Sequence, residues 1–138
     1  MHSIRQCSVL LSAVFIALSI VSSSSAQQST APAFKVTPLW KESLTGQPDK
    51  EVVMVIIEWP PGGGTGRHTH PGDEYATILE GAITGQKDGA DAQTFNTGQS
   101  YHNEAGVVHD AKNWGDQPAK SLSVFVVEKG KPLIERVK

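Results

Sequence analysis

The chain has 138 residues, with 12 Lys and Arg against 14 Asp and Glu, a formal net charge of −2 and 38% hydrophobic residues. That length supports one domain with a single core, and the absence of any basic block excludes a dedicated nucleic-acid or anionic-membrane surface. Cys7 is the only cysteine, so no disulfide forms within the chain, and thiolate metal sites and thiol nucleophiles leave with the segment that carries it.

That segment reads as an export signal. Met1 to Gln6 is a short leader with one firm positive charge, Arg5; Cys7 to Val21 is apolar; Ser24-Ser25-Ala26 supplies small residues for cleavage. The apolar run falls short of the roughly 20 residues a spanning helix needs. The expected organisation is a signal peptide over residues 1–26, a flexible polar leader over 27–33, and one folded domain over 34–138. The mature protein is then exported, periplasmic or secreted, with no membrane association after cleavage.

Hydrophobic runs follow at short intervals: Glu51 to Trp59 (EVVMVIIEW), Glu74 to Thr84 (EYATILEGAIT), Gly106 to Trp114 (GVVHDAKNW) and Lys120 to Glu128 (KSLSVFVVE). Val, Ile, Thr and aromatics dominate three of them, as half-buried pleated surfaces favour. Between them lie turn-forming pairs, Pro60-Pro61, Pro71-Gly72, Asp88-Gly89 and Trp114-Gly115. No apolar 3.6-residue period persists over three turns beyond the export signal. The pattern is all-β, a sandwich or barrel of short strands. Trp40, Trp59 and Trp114 adjoin strand ends and are expected in the core or at a subunit interface.

The stretch GGGTGRHTHPGDE places His68 and His70 two residues apart, so both imidazoles leave an extended strand on the same face. A turn at Pro71-Gly72-Asp73 brings Glu74 back beside them. Imidazole nitrogens with one carboxylate suit Fe, Mn, Ni, Cu or Zn better than the hard ions that take all-oxygen shells. Read alone, the pair is equally a solvated polar turn. His109, in another strand-like run, gains weight as a ligand only from such company. Asn113 shares its parity, whereas Arg67 has the opposite parity to His68 and points outward. His102, beside Tyr101, is expected on the surface rather than at an entrance.

The spacing Gly62-x5-His68-x-His70-x3-Glu74-x6-Gly81 resembles the first motif of the cupins at every defined position. Gly98-x5-Glu104-x-Gly106-x2-His109-x3-Asn113 resembles the second, except that Glu104 stands where proline is usual. The resemblance implies a single small antiparallel jelly-roll barrel holding one divalent transition metal ion on His68, His70, Glu74 and His109. Gly81 and Gly106 then permit tight bends between strands, and Glu104 in place of proline loosens its turn or caps it differently. Family resemblance and short length together imply a homodimer. Cupins perform many reactions, so the family name does not choose one. The expected activity is a metal-dependent oxidation of the oxidase or dioxygenase kind on a small oxygenated or chelating molecule, with Glu74 doubling as a base. The alternative is an exported binder of metal or small ligand without turnover.

Overall fold

The computed structural model describes residues 34–137; the expected export signal and the polar leader lie outside the described residues. Ten strands form: β1 (Lys35–Leu44), β2 (Gln47–Trp59), β3 (His68–Thr69), β4 (Gly72–Glu80), β5 (Ala82–Lys87), β6 (Gln93–Asn96), β7 (Ser100–Asn103), β8 (His109–Lys112), β9 (Ala119–Glu128) and β10 (Glu135–Arg136). Among the described residues there is no helix. The strands make two five-stranded sheets, β1-β2-β9-β4-β7 and β10-β3-β8-β5-β6, antiparallel throughout. This is the antiparallel jelly roll that the family resemblance implies.

The core follows from period-two burial. Along β2, Glu51, Val53, Val55, Ile57 and Trp59 are buried while the residues between them are half-buried. Ile78, Ile83, Ala111, Phe125 and Val127 meet them from other strands. Each large aliphatic side chain so enclosed contributes about 1.5–3 kcal/mol. Trp59 also donates its indole N–H to Ser121 Oγ at 3.0 Å, so its polar atom is satisfied in the interior.

The run from Glu74 to Thr84 divides into two strands in different sheets. Gly81 sits at the break with φ of +72°, and a Cβ there would lie 3.0 Å from the side chain of Ala119, so both backbone conformation and space call for glycine. The turn expected at Pro71-Gly72-Asp73 is instead a crossing between sheets, with β4 already starting at Gly72. A Cβ on Gly72 would lie 2.1 Å from the carbonyl of Val126, so glycine lets β4 pack this closely on β9. The Gly106 to Trp114 run shortens to the four residues of β8.

β1 gave no hydrophobic run because KVTPLWKESL mixes charge with Pro38 at the rim of its sheet, where such residues blunt a free edge. Of the three tryptophans only Trp59 is in the core. Trp40 is half exposed. Trp114 is 71% exposed, with Lys112 Nζ 3.6 Å from its ring centroid. Of the two places expected for Trp114, the core is ruled out: it lies in the loop beyond β8, where no facing layer of its own chain covers it, and its contact is with a neighbouring cation.

Candidate metal centre

The two sheets bring His68, His70, Glu74 and His109 to one point. His68 on β3 is directly opposite His109 on β8. His70 lies just past β3 as the chain crosses between sheets, and Glu74 is near the start of β4 in the other sheet. All four are buried, at 2%, 3%, 5% and 2% relative exposure in that chain order by His68, His70, Glu74 and His109. The three imidazole rings lie 4.3–4.9 Å apart between centroids, and one nitrogen from each falls within 4.8 Å of the others.

Hydrogen bonds fix how the rings face. Nδ1 of His68 meets Gly66 O at 2.8 Å, Nδ1 of His70 meets Leu133 O at 2.5 Å, and Nδ1 of His109 meets Val107 O at 2.9 Å. A carbonyl oxygen only accepts, so each Nδ1 carries the proton and each Nε2 keeps a bare lone pair. Nε2 of His70 and Nε2 of His109 are buried with no hydrogen-bond partner. Such orphaned atoms are costly unless something occupies the space between them.

Glu74 sharpens that point. Its Oε2 lies 3.3 Å from His70 Nε2 and 3.8 Å from His109 Nε2. Two lone pairs at that distance repel without a positive charge between them. Ligand atoms about 2.1 Å from a shared ion and at roughly tetrahedral or octahedral angles are about 3.0–3.4 Å apart. The orphaned nitrogens and the carboxylate therefore fit a metal ion in donor type and in orientation; His70 and Glu74 also have the spacing, while His109, 3.8 Å from the carboxylate, would close in by a few tenths of an ångström.

Electrostatics agree. Burial, the largest influence, pushes His68 down to about 4, and the neighbouring His109 and His70 push the same way. Burial also lowers His109. Both imidazoles are neutral at physiological pH, as ligands must be. Burial, the largest influence, resists ionisation of Glu74, but a positive charge shared with His70, with the amide of Asn103 adding, outweighs it, and its carboxyl sits below the ordinary value; without a metal that charge is a proton on His70 Nε2. Asn103 Nδ2 donates to Glu74 Oε2 at 2.8 Å, which orients the carboxylate. Asn103 was not singled out from sequence; its signal is only a place on β7 opposite Glu74, and pairing is invisible before the sheet order is known.

The ligand cluster opens into a chamber with about 50 Å³ of free space. Val55, Ile57, Trp59 and Phe125 wall it, and Phe34 with Leu133 and Ile134 close one side. The C-terminal segment is thus part of the site, because Leu133 both walls the chamber and orients His70 through its carbonyl. Tyr101 also borders the chamber; burial, with the charge of Glu74 adding, pushes its phenol well above the ordinary value, so it stays protonated.

The remaining sequence candidates sit apart from the chamber. Arg67 points outward as expected and pairs with Asp88. His102 lies on the outer side of its sheet, stacked on Tyr75 with centroids 4.6 Å apart and 3.0 Å from Asp73 Oδ1. Asn113 is buried, but as a loop lock: its Nδ2 donates to Trp59 O at 3.1 Å and Gln117 O at 2.8 Å, while its Oδ1 accepts from Gly115 N at 2.9 Å. Glu104 is exposed and pairs with Lys87 Nζ at 2.5 Å. Lys87 stands opposite His109 on the neighbouring strand, so this ion pair ties the turn before β8 to the strand beside the ligand.

The profile of the family described as "Cupin domain" matches residues 55–125, more than half of the chain. The chain belongs to the cupin family. Over 69 residues it is 36% identical to the HTH-type transcriptional regulator PuuR of Escherichia coli, a match that covers 49% of this chain and 37% of that protein. It thus spans just over a third of the length of the curated relatives it matches. Among solved structures, it resembles oxalate oxidase at 22% identity and a TM-score of 0.61, over 79% of this cupin and 57% of that chain. It also resembles the DMSP lyase DddQ from Ruegeria pomeroyi at 20% identity and a TM-score of 0.59, over 72% of this cupin and 49% of that chain. Likeness at that identity is a likeness of fold. With three converging imidazoles inside such a fold, the protein reads as a metal-binding cupin.

Proposed function

We propose that this cupin is an exported, metal-dependent oxidoreductase of the oxidase or dioxygenase kind that acts on a small oxygenated, chelating organic molecule. His68, His70, Glu74 and His109 would hold one divalent transition metal ion, with Fe, Mn, Ni, Cu and Zn all compatible with the donors. The observation that carries the reading is the pair of buried, unpartnered Nε2 atoms on His70 and His109, both aimed at an ionised carboxylate. When bound, the metal would act as a Lewis acid and offer coordination positions beyond the protein's ligands.

The chain supplies the rest. Its apolar walls exclude bulk water and strengthen every electrostatic contact inside. Asn103 holds the Glu74 carboxylate in place, and Glu74 is the ionised group able to accept a proton from an acidic O–H of substrate. Among the described residues no lysine or arginine lines the chamber, so a substrate's negative charge would be balanced at the ligand cluster itself. A space of about 50 Å³ accommodates a molecule of a few heavy atoms. Small acids with adjacent oxygens suit it; a flavonol would need the Phe34 and Leu133 side to open.

The decisive experiment pairs elemental analysis of protein recovered from its export compartment with oxygen-uptake assays on oxalate, flavonols and other chelating acids. The expected result is close to one transition metal per chain, a loss of most of it in His70→Ala and in Glu74→Ala, and metal-dependent oxygen consumption with a small acid. Full metal retention in both variants would overturn the site. A second reading, a binder without turnover, draws support from the match to a protein named as a transcriptional regulator. Tight ligand binding with no oxygen consumption would select it.

A further inference from the structure

The chain has 13 glycines, and all but one have a structural reason to be glycine. Each of the others either holds a positive φ or would carry a Cβ within 3.2 Å of a neighbouring atom. Gly85 does neither: its φ is ordinary, and the atom nearest to an added Cβ is Phe95 Cε2 at 3.6 Å. Yet it stands inside β5, where glycine weakens a strand. Register shows where the missing side chain would go. Gly85 is opposite Ala111 on β8 and Gln93 on β6, two residues along from the buried Ile83, so position 85 belongs to the inner face of its sheet. In front of it lies a cleft with about 430 Å³ of free space, between β5, β6 and β8 of one sheet and β7, the edge strand of the other. The cleft is separate from the metal chamber, although Tyr101 and Ala111 wall both.

We propose that this cleft is a binding site for an uncharged, hydroxyl-rich ring, a sugar or cyclic polyol, and that Gly85 keeps it open. Its volume lies within the roughly 300–1,000 Å³ of small-molecule sites. A strand interior favours Val or Ile, and either would project into the cleft from position 85, so open space is what glycine preserves there. Charge argues against an anion. The cleft's one ammonium, Lys87 Nζ, is held by Glu104 at 2.5 Å, whereas Asp91 and Asp110 both line the cleft. Two carboxylates leave an excess of acceptors, which suits O–H donors and repels acids. Gln86 and Gln93 add amides that both donate and accept, as a hydroxyl does. Phe95 and Tyr101, with ring centroids 5.0 Å apart, supply apolar surface for the C–H face of a ring. The metal chamber has the opposite character, apolar walls around a ligand cluster, so the two cavities select different molecules. Asn103 lines the cleft and donates to Glu74, which sets a ring bound here one side chain away from the metal centre.

The test is isothermal titration calorimetry on the metal-loaded chain as recovered after export, with glucose, galactose and myo-inositol as neutral rings and benzoate as a charged one. At least one neutral ring should bind with a millimolar or lower Kd, and benzoate should bind more weakly than it. Gly85→Leu fills the cleft and should weaken that binding at least about tenfold, while metal content and circular dichroism stay unchanged. Gln93→Ala, which removes an amide and creates no clash, should weaken it several-fold and serves if the Gly85 variant fails to fold. His70→Ala should bind the same ring as well as the unaltered protein does, because the cleft does not need the metal. The proposal is overturned if no neutral ring binds up to about 50 mM, if benzoate binds best, if binding survives unchanged in a folded variant of the cleft, or if it is lost in His70→Ala. The readout is the heat of ring binding, with metal content measured separately, so its failure is distinct from any failure of the metal reading.

Discussion

The two sheets of this cupin differ as sharply in strand length as in chemistry. In one, β2 and β9 run 13 and 10 residues and bury Val, Ile, Phe and Trp along their inner faces. In the other, β3 and β8 are two and four residues long, yet they present His68 and His109 directly opposite each other. The long sheet supplies burial and the Glu74 carboxylate, and the short one supplies the imidazoles, whose desolvated, unpartnered nitrogens work against burial. The comparison teaches where stability and function separate: a costly site rests on strands too short to be stable alone, braced by a sheet that is.

The largest effect expected from breaking that division lies in the long sheet. Ile78 on β4 is 1% exposed and does not border the chamber. Ile78→Ala should cost about 2–5 kcal/mol, from lost burial and the cavity left behind. Urea titration would measure it as a lowered midpoint. Metal content per folded chain should stay at the unaltered level, because no ligand or hydrogen bond at the site changes. A parallel loss of metal would show that the two sheets are not separable.

How far the sequence disclosed the two sheets follows the same division. The long strands were legible because EVVMVIIEW and KSLSVFVVE carry their own signal, and the clustering of His68, His70, Glu74 and His109 because their spacing resembles a known pair of motifs. β1 was not legible, since an edge strand with proline and charge has no periodicity to detect. Asn103 and Leu133 were not legible either. Each acts on the site through a contact more than 25 residues distant in sequence, Asn103 with Glu74 and Leu133 with His70, and only the folded register creates it. Trp114 shows the converse: a residue type that favours burial lies in a loop with nothing in its own chain to cover it, so the expectation of a core position failed.

The second effect, about 3 kcal/mol at most, probes the short sheet by pH. His68 is held at about 4 when folded, against an ordinary value of 6.5. A lowered imidazole pKa means that the unfolded chain binds a proton which the folded chain refuses. Stability of metal-free protein should therefore be full above about pH 6.5 and fall as pH drops toward 4. His109, also lowered, acts in the same direction, and Glu74 adds a loss at still lower pH. Denaturation midpoints of chelated protein between pH 7.5 and 4 would measure it, and His68→Asn should flatten the slope. A slope unchanged in that variant would mean that His68 is not desolvated as its burial implies.

The smallest effect concerns Glu104, the one departure from the second motif. Its ion pair with Lys87 is exposed on both sides, a setting in which such pairs are worth about 0–1 kcal/mol. The turn it opens is closed without it, by Val107 N to Glu104 O at 3.2 Å, while Gly106 N reaches His70 O at 3.0 Å. Proline at position 104 leaves those donors untouched. It removes the ion pair but also removes freedom from the unfolded chain, a gain of about 0.4–1 kcal/mol where the backbone conformation suits. The two nearly cancel, so Glu104→Pro should shift the denaturation midpoint by less than about 1 kcal/mol and leave metal content unchanged. Salt separates the two contributions: sodium chloride at 1 M should weaken the unaltered protein slightly relative to the variant, because only the former has an exposed charge pair at this turn to screen. If Glu104→Pro instead lost metal, the turn before β8 would be setting the position of His109, and the short sheet would depend on its loops as much as on the long sheet beneath it.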